Sequence, residues 1–335
     1  MSVTIKDVAK IAGVSISTVS RVINNSKPVS SDVRKRVLEV IDEIGYKPNE
    51  VARSLVTKKS FLIGVIVTDI GNSYIAEMVR GIEEVGKMYN YDILLCSTYG
   101  DENAEVKYIN ILKRKQVEGI ILISDNDNKN IDDVVDGLDI PFVYLNRYFN
   151  PDRYHTVTID HLYAAYEMTK YLIDLGHNKI GFVTTKDDQD YCIEKKKIEG
   201  FKKAIAEYGT VEGKVFFVNN RKISNGYEIA KKISYSEKDL TAIFCGDDNL
   251  AIGAISYLYD NRVYIPMDIS ISGYGDLPIA SIFRPRLTTI KEPFYDIGAV
   301  AIRKIIKQLN KEKVENNHIK LPFKLLKRDS CNKLD

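Results

Sequence analysis

No stretch of this 335-residue sequence approaches the roughly 20 consecutive apolar residues that a membrane-spanning helix needs. The longest apolar runs, such as LIGVIV and GIILIS, have the length of buried strands. The N-terminus, MSVTIKDVAK, carries charges where a signal peptide would have its apolar stretch. Both absences point to a cytoplasmic protein with no membrane partner. Cysteine is scarce. Cys96, Cys192, Cys245 and Cys331 lie far apart, with no C-x-x-C pair, which excludes a disulfide framework and a zinc finger. Cys96 and Cys245 fall inside strand-like runs, where a buried free thiol is expected. Histidine is equally sparse. His155, His161, His177 and His318 are scattered, with no H-E-x-x-H and no paired ligand spacing, so no metal is expected. His177, in LGHNKI, reads as a helix-end residue near the negative end of a macrodipole. No G-x-S-x-G, Walker or G-x-G-x-x-G motif follows a strand-like run, which argues against an enzyme. An excess of one charge is also missing, since 48 Lys/Arg against 46 Asp/Glu leave a net +2.

What is present is ordinary globular material: 44% hydrophobic and 28% charged residues, enough for sizeable cores in about two or three domains. The near-zero net charge hides a split. Residues 1–60 hold 11 basic and 6 acidic residues, and the remainder holds 37 and 40. A basic head on a slightly acidic body suits a head that meets a polyanion.

The run TIKDVAKIAGVSISTVSRVINN makes that polyanion specific. Thr4 is a natural N-cap, and Ile5, Val8 and Ala9 follow at helical spacing. Gly13 interrupts, where a tight turn needs a residue tolerant of positive φ. Ser15 can cap a second helix whose Val19 and Val22 face the first. Small Ala9, turn Gly13 and apolar Val19, with Val8, Ala12, Val14 and Val22 at core positions, make a helix-turn-helix. If its second helix enters a major groove, the outward residues of its first turns meet base edges. These are Ile16, Ser17 and Arg21. Arg21 is the best single base reader, because arginine bonds guanine bidentately. Thr4, Thr18, Ser20, Asn49 and Arg53 are the expected phosphate contacts. SSDVRKRVLEVIDEIG reads as a third helix, capped by Ser30 or Ser31 and ended by Gly45. A short helix starting at Pro48 follows and is too short to be stable alone in water. Its Leu55 has two readings: a wedge between base pairs in a minor groove, or a residue packed under the body.

These residues resemble the LacI/GalR family of bacterial transcription regulators. The resemblance runs from TIKDVAKIAGVSISTVSRVINN through GYKPNEVARSLVTKKS, IGVIVTDIGNSY, GHNKIGFV, AIFCGDD, ISISGYGD and RPRLTTIKEP, so it spans essentially the whole chain. It implies that Leu55 intercalates at the centre of an operator. It also implies a periplasmic-binding-protein-like core. From the residues alone, strand-like runs (FLIGVIVTDI, YDILLCST, VEGIILIS, PFVYLNR, then KIGFVTT, KVFFVNN, LTAIFCGDD, DISISGYGD) alternate with helical stretches. That pattern gives two α/β lobes with parallel sheets and a cleft at the strands' carboxyl ends. The expected fold is thus an all-α helix-turn-helix head plus an α/β core of two parallel-sheet lobes. The expected domains are 1–47 for the head, 48–60 for the hinge helix and linker, 61–160 plus 290–320 for the first lobe, and 161–289 plus 321–335 for the second.

Candidate effector residues of the cleft are Asp69, Lys197, Asp247 and Asp276. Asp247 and Asp248 could form an acid pair, but strand-end or N-cap aspartates are the stronger reading. Sugar- and purine-sensing relatives place an arginine where this chain has Lys197, and an aspartate where it has Gly275, with Asp276 next. The groups that grip a polar ligand are therefore altered. In EPFYDIGAVAIRKIIKQLNKEK, Arg303 and Lys307 are four apart on one helix face. On spacing alone they read as solvated surface cations. The run YDIGAVA-x-R-x-x-x-K, with MYNYDILL at 88–95, closely resembles the catabolite-control branch of the family in Gram-positive bacteria. That resemblance implies a protein corepressor, seryl-phosphorylated HPr or its paralogue Crh, whose phosphoserine meets Arg303 and Lys307. Tyr89, Tyr295 and Asp296 would complete the docking surface. The sequence therefore predicts a homodimeric regulator of carbon catabolite repression on a pseudo-palindromic operator. No cofactor beyond the phosphoprotein is expected, with a sugar phosphate as a candidate modulator. The alternative is a local repressor released by a sugar or nucleoside in the interlobe cleft.

Overall fold

The computed structural model describes residues 3–24, 27–46, 59–124, 130–146, 155–186, 193–314 and 316–334. It divides into two compact units, Met1–Ser60 and Phe61–Asp335. Asn49, Arg53 and Leu55, and with them the expected hinge helix, lie outside the described residues.

The head holds α1 (Ile5–Ala12), α2 (Ile16–Asn24) and α3 (Ser31–Glu43). Gly13 ends α1 at φ 64°, a left-handed conformation that costs a side-chain-bearing residue energy. The Val14 N–H then closes onto the Ala9 carbonyl at 3.0 Å. Ser15 caps α2, its hydroxyl accepting the Thr18 N–H at 3.1 Å. Ser30 occupies the N-cap of α3 without a side-chain cap bond. The core is Val8, Ala9, Ala12, Val19, Val22, Val37 and Val40, with Val14, Val33, Ile41 and Ile44 packed around it. Each fully buried valine contributes roughly 1.5–3 kcal/mol.

Among the described residues the body has three sheets. The first orders β2 (Asp92–Ser97), β1 (Leu62–Val67), β3 (Gly119–Ser124) and β4 (Phe142–Asn146), all parallel. The second orders β12 (Lys324–Leu326), β10 (Thr288–Lys291), β9 (Ser270–Gly275), β8 (Ala242–Cys245), β6 (Lys179–Thr185) and β7 (Glu212–Val218). Only its β10–β12 pair is antiparallel. β5 (Thr156–Ile159) and β11 (His318–Leu321) pair in parallel where the chain passes between lobes. The helices are α4 (Ser73–Met88), α5 (Glu102–Arg114), α6 (Asn130–Asp136), α7 (His161–Asp174), α8 (Ile193–Tyr208), α9 (Ile223–Ser236), α10 (Asp248–Asp260), α11 (Pro278–Ile282) and α12 (Phe294–Leu309). No helix among the described residues is long and apolar enough to cross a membrane.

Parallel strands need crossover helices, and here those helices pair by direct backbone approach. A Cβ on Gly81 of α4 would sit 2.1 Å from the Tyr295 carbonyl oxygen, and one on Gly298 of α12 would sit 2.0 Å from that of Met78. The same close approach recurs where Gly200 of α8 meets Leu162, and where Gly253 of α10 meets Ile223. α12 thereby belongs to the first lobe, its Ile297, Ala301, Ile302 and Ile305 sharing a core with Ile63, Val65 and Ile82. β10 stays in the second sheet through Lys291, so the return crossing falls just past the expected break at 289/290. Fully buried Ile290, packed with Phe182 and Tyr274, is the reason.

His177 departs from its expected role. It is buried, with its ring nitrogens 3.1 and 3.0 Å from the Thr241 and Ser270 hydroxyls. Burial pushes its pKa down, so it is a neutral core residue and not a cation at the end of α7.

Candidate functional site

On the head, Val19 and Val22 turn α2 inward, which leaves Ser17 and Arg21 exposed on one face. Ile16 is 44% exposed at the start of the helix, so the structure leaves it available to a partner. The Ser15, Ser17 and Thr18 hydroxyls cluster within 2.9 Å at that start, where free backbone N–H groups suit an anion. Ser20 is partly buried. Thr4 fits a phosphate less well than expected. Its hydroxyl donates to the Asp7 carboxylate at 2.7 Å, and its N–H donates there at 2.8 Å. These bonds hold the Asp7 carboxyl below its usual range and spend the one hydroxyl proton that a phosphate oxygen would need.

In the body, the carboxyl ends of the strands converge on a partly open cleft of about 80 Å³. Its first-lobe wall is mostly apolar, from Tyr74, Ile75, Met78, Ile123 and Leu145. Its second-lobe wall carries His161, Lys197, Arg221, Asp247, Tyr274 and Glu292. Lys197 is 2% exposed. Its ammonium donates to the Gly246 carbonyl at 2.9 Å and the Glu194 carboxylate at 3.3 Å, and lies 4.0 Å above the Tyr274 ring. A buried cation needs such partners. Arg221 approaches the same Glu194 carboxylate at 3.8 Å. Asp247 caps α10 by accepting the Asn249 N–H at 2.8 Å. Asp248 turns away into the second lobe and accepts from the Thr289 hydroxyl and the Leu277 N–H at 2.6 and 2.7 Å. Burial pushes Asp248 up to about 7 and Glu292 up to about 7. It pushes His161 down to about 3, so that ring is neutral, held by the Tyr274 hydroxyl at 2.7 Å and the Thr158 hydroxyl at 3.0 Å.

Of the four expected cleft residues, Lys197 and Asp247 line this cavity, and Asp69 and Asp276 do not. Asp69 accepts the Gly71 N–H at 2.8 Å and shapes the turn after β1. Gly275 and Asp276 both take positive φ, 125° and 56°. That turn carries Asp276 to Arg328, at 2.6 Å, and Lys291, at 3.5 Å. Glu194, Arg221, His161, Tyr274 and Glu292 were missed. Only Glu194 left a sequence signal, a carboxylate one turn before Lys197.

On α12, Asp296, Arg303 and Lys307 are exposed along one face, with Val300 half-buried between them. Neither Arg303 nor Lys307 has a hydrogen-bond or ion-pair partner among the described residues. Some other surface cations are paired, as in Arg80–Glu77, Lys87–Glu83 and Arg286–Asp329, each at 2.7 Å. Tyr295 donates to Glu84 at 2.7 Å, under the Arg80 guanidinium. Tyr89, 48% exposed, follows the end of α4. Gly86 of α4 packs on Ile302 of α12, so both helices present their C-terminal halves on the same side of the first lobe.

Residues 4–49 match the profile described as bacterial regulatory proteins, lacI family. Residues 60–329 match that of periplasmic binding proteins and sugar binding domain of LacI family. Over 331 residues the chain is 38% identical to the HTH-type transcriptional regulator RegA of Clostridium saccharobutylicum, covering 98% of this chain and 99% of that one. It is 37% identical over 333 residues to catabolite control protein A of Priestia megaterium, with the same coverage of 98% and 99%. Among solved structures, a lac repressor dimer bound to operator and an anti-inducer superposes with a TM-score of 0.88 at 24% identity, over 99% of this chain and 100% of that one. At that identity the likeness is one of fold.

Proposed function

Because the chain belongs to the LacI family of bacterial regulatory proteins, and so is a DNA-binding transcriptional regulator and not an enzyme, we propose that it acts in carbon catabolite repression with seryl-phosphorylated HPr, or its paralogue Crh, as corepressor. It binds a pseudo-palindromic operator as a homodimer. Arg21 reads base edges, and Leu55 wedges the minor groove. The observation that carries the reading is the Arg303–Lys307 pair. Two like charges one turn apart repel and give the helix nothing, yet both stand exposed without a counter-ion among the described residues. A phosphoserine brings about −1.5 to −2 charges at neutral pH, and the planar arginine fork can bond two of its oxygens. The likeness to catabolite control protein A supports the same partner.

For a corepressor to act, it must prefer the DNA-competent arrangement of the lobes, since only differential affinity shifts an equilibrium. The test is operator affinity by fluorescence anisotropy with phosphorylated HPr, plain HPr or none. Phosphorylated HPr is expected to tighten operator binding and plain HPr to leave it nearly unchanged. Arg303→Ala removes most of that discrimination and spares binding without HPr. Equal effects of the two HPr forms, or none from either, would remove the catabolite-control reading and leave a repressor governed by a small ligand.

A further inference from the structure

We infer that Glu118 is a positioning residue for operator binding: with Tyr91 it clamps Phe61, the residue at which the chain from the head enters the body, and so fixes the direction in which that chain departs. The inference rests on the operator-binding dimer of the proposed reading. It is independent of what docks on α12.

Phe61 takes φ 55°, a left-handed conformation that is an outlier for a bulky residue. Asn90, Gln116, Arg262 and Lys311 share it, and each directly follows the C-cap of a helix, where it is a common way to end one. Phe61 instead leads directly into β1. Such a conformation persists only where the surroundings over-determine it. The Phe61 N–H donates to one Glu118 carboxylate oxygen at 2.7 Å, and the Tyr91 hydroxyl donates to the other at 3.2 Å. The Phe61 carbonyl accepts the Asp92 N–H at 2.8 Å, and the Phe61 and Tyr91 rings lie 5.7 Å apart. The bond to Glu118 decides the direction. It holds the peptide plane joining Ser60 to Phe61, which is where the two compact units meet in the chain.

A clamp works only if its arms are fixed, and both are. The Glu118 N–H donates to the Leu62 carbonyl at 2.8 Å. Gly119 follows so close to α12 that a Cβ on it would meet Ile305 Cγ2 at 2.5 Å. Tyr91 is buried, and its N–H donates to the Gly86 carbonyl at 2.9 Å. Burial, and then the Glu118 charge, push its phenol up to about 12, so it stays a donor at neutral pH. The pairing of β1 with β3 is made by backbone from Ile63 and Gly119 onward, so the half-buried Glu118 side chain acts on Phe61 and not on the ladder. A dimer gains affinity from its second head only while both heads reach their half-sites together, and that gain depends on how narrowly the connecting chain is directed. Without Glu118, Phe61 relaxes toward the extended region, and the departing chain is redirected and less confined. Specific binding then falls, and with it the preference for one half-site spacing.

The test uses the full chain, a pseudo-palindromic duplex selected from random DNA by the wild type, and the same duplex lengthened by one base pair at its centre. Fluorescence anisotropy reads both affinities. Glu118→Ala should bind the selected duplex about tenfold or more weakly and lose less on the lengthened one, so the spacing preference shrinks. Glu118→Gln keeps an acceptor for the Phe61 N–H and should restore most of both. Phe61→Pro removes that N–H and forbids the left-handed φ, so it should shrink the preference with Glu118 intact. Hydrogen exchange should find the Phe61 amide protected in the wild type and in Glu118→Gln, and unprotected in Glu118→Ala. A purely structural role would lower both affinities by one factor and leave their ratio alone. Equal losses on the two duplexes, or a wild-type spacing preference in Glu118→Ala or Phe61→Pro, would overturn the inference and leave the dimer reading standing. A wild type that binds the selected duplex as a monomer would overturn both.

Discussion

Gly298→Ala is the sharpest probe of the frame that carries the proposed docking face, because two effects oppose and their sizes decide the sign. Alanine in a helix interior is favoured over glycine by about 1 kcal/mol. Against that, the added methyl would lie 2.0 Å from the Met78 carbonyl oxygen and 2.8 Å from its carbon. The obstruction is backbone of α4, with no flexible side chain to swing aside. α12 must therefore retreat by more than an ångström. Ile297, Ala301, Ile302 and Ile305 on its inner face are at most 3% exposed. A gap of 0.5–1 Å already forfeits a quarter to a half of each contact's attraction. Overpacking of this kind costs about 1–3 kcal/mol, occasionally more. A rigid backbone obstacle belongs at the upper end, so the net loss should be about 2 kcal/mol. Urea unfolding followed by circular dichroism would measure it in the body transition. Gly137→Ala is the control, since its nearest new contact is an ordinary 3.5 Å, and it should stay within about 0.5 kcal/mol of wild type. The tilt of α12 should also weaken phosphoprotein docking with Arg303 and Lys307 chemically intact. A Gly298→Ala protein as stable as wild type, or more so, would refute the close-approach account.

Arg21→Ala should weaken specific operator binding by about 1–3 kcal/mol and random-sequence binding much less. Equal losses in a competition assay would make Arg21 a phosphate contact only. Lys304, 3% exposed on α12, donates to the Asn316 and Asn317 carbonyls ahead of β11, and burial holds its pKa down at about 8. The unfolded chain therefore binds more protons than the folded one above that pH, and this group's contribution to stability rises with pH. The stability of wild type relative to Lys304→Met should accordingly increase between pH 7.5 and 9.5, and a flat difference would mean an unperturbed ammonium.

The head was legible because its core obeys one periodicity within a single short run. Val8, Ala9, Ala12, Val19 and Val22 each bury to 6% exposure or less, as their spacing required. The buried strands were legible for a related reason. IGVIV and GIILIS are continuous apolar runs, and both β1 and β3 are interior strands with almost every residue buried. The lobe crossing was less legible. Whether Ile290 ends one lobe or begins the next depends on Phe182 and Tyr274, far away in sequence, and no local pattern encodes that choice. His177 failed for a similar reason. Its position after a helix was correct, but Thr241 and Ser270 arrive from other strands and turn a surface cap into a buried neutral ring.

The cleft shows where reading by motif stops. Lys197 and Asp276 stood out because they replace or displace groups that relatives use, and that selects residues by kind. Function depends on where the side chains point, and backbone geometry sets this. A positive φ at Gly275 and Asp276 in succession swings the aspartate out of the cavity to Arg328. One turn of α8 brings Glu194 under Lys197. Glu292 enters from the strand-to-helix link after β10, nearly a hundred residues beyond them. A charge so placed is costly unless something answers it. Lys197 is answered within the chain by Glu194, Gly246 and Tyr274, while the partly buried Glu292 carboxylate accepts no hydrogen bond from a described residue. The same reasoning applies to the exposed face of α12, where Arg303 and Lys307 cost little unpaired because water solvates them. The proposed docking face rests on their repulsion one turn apart, on a helix fixed by backbone contact to α4.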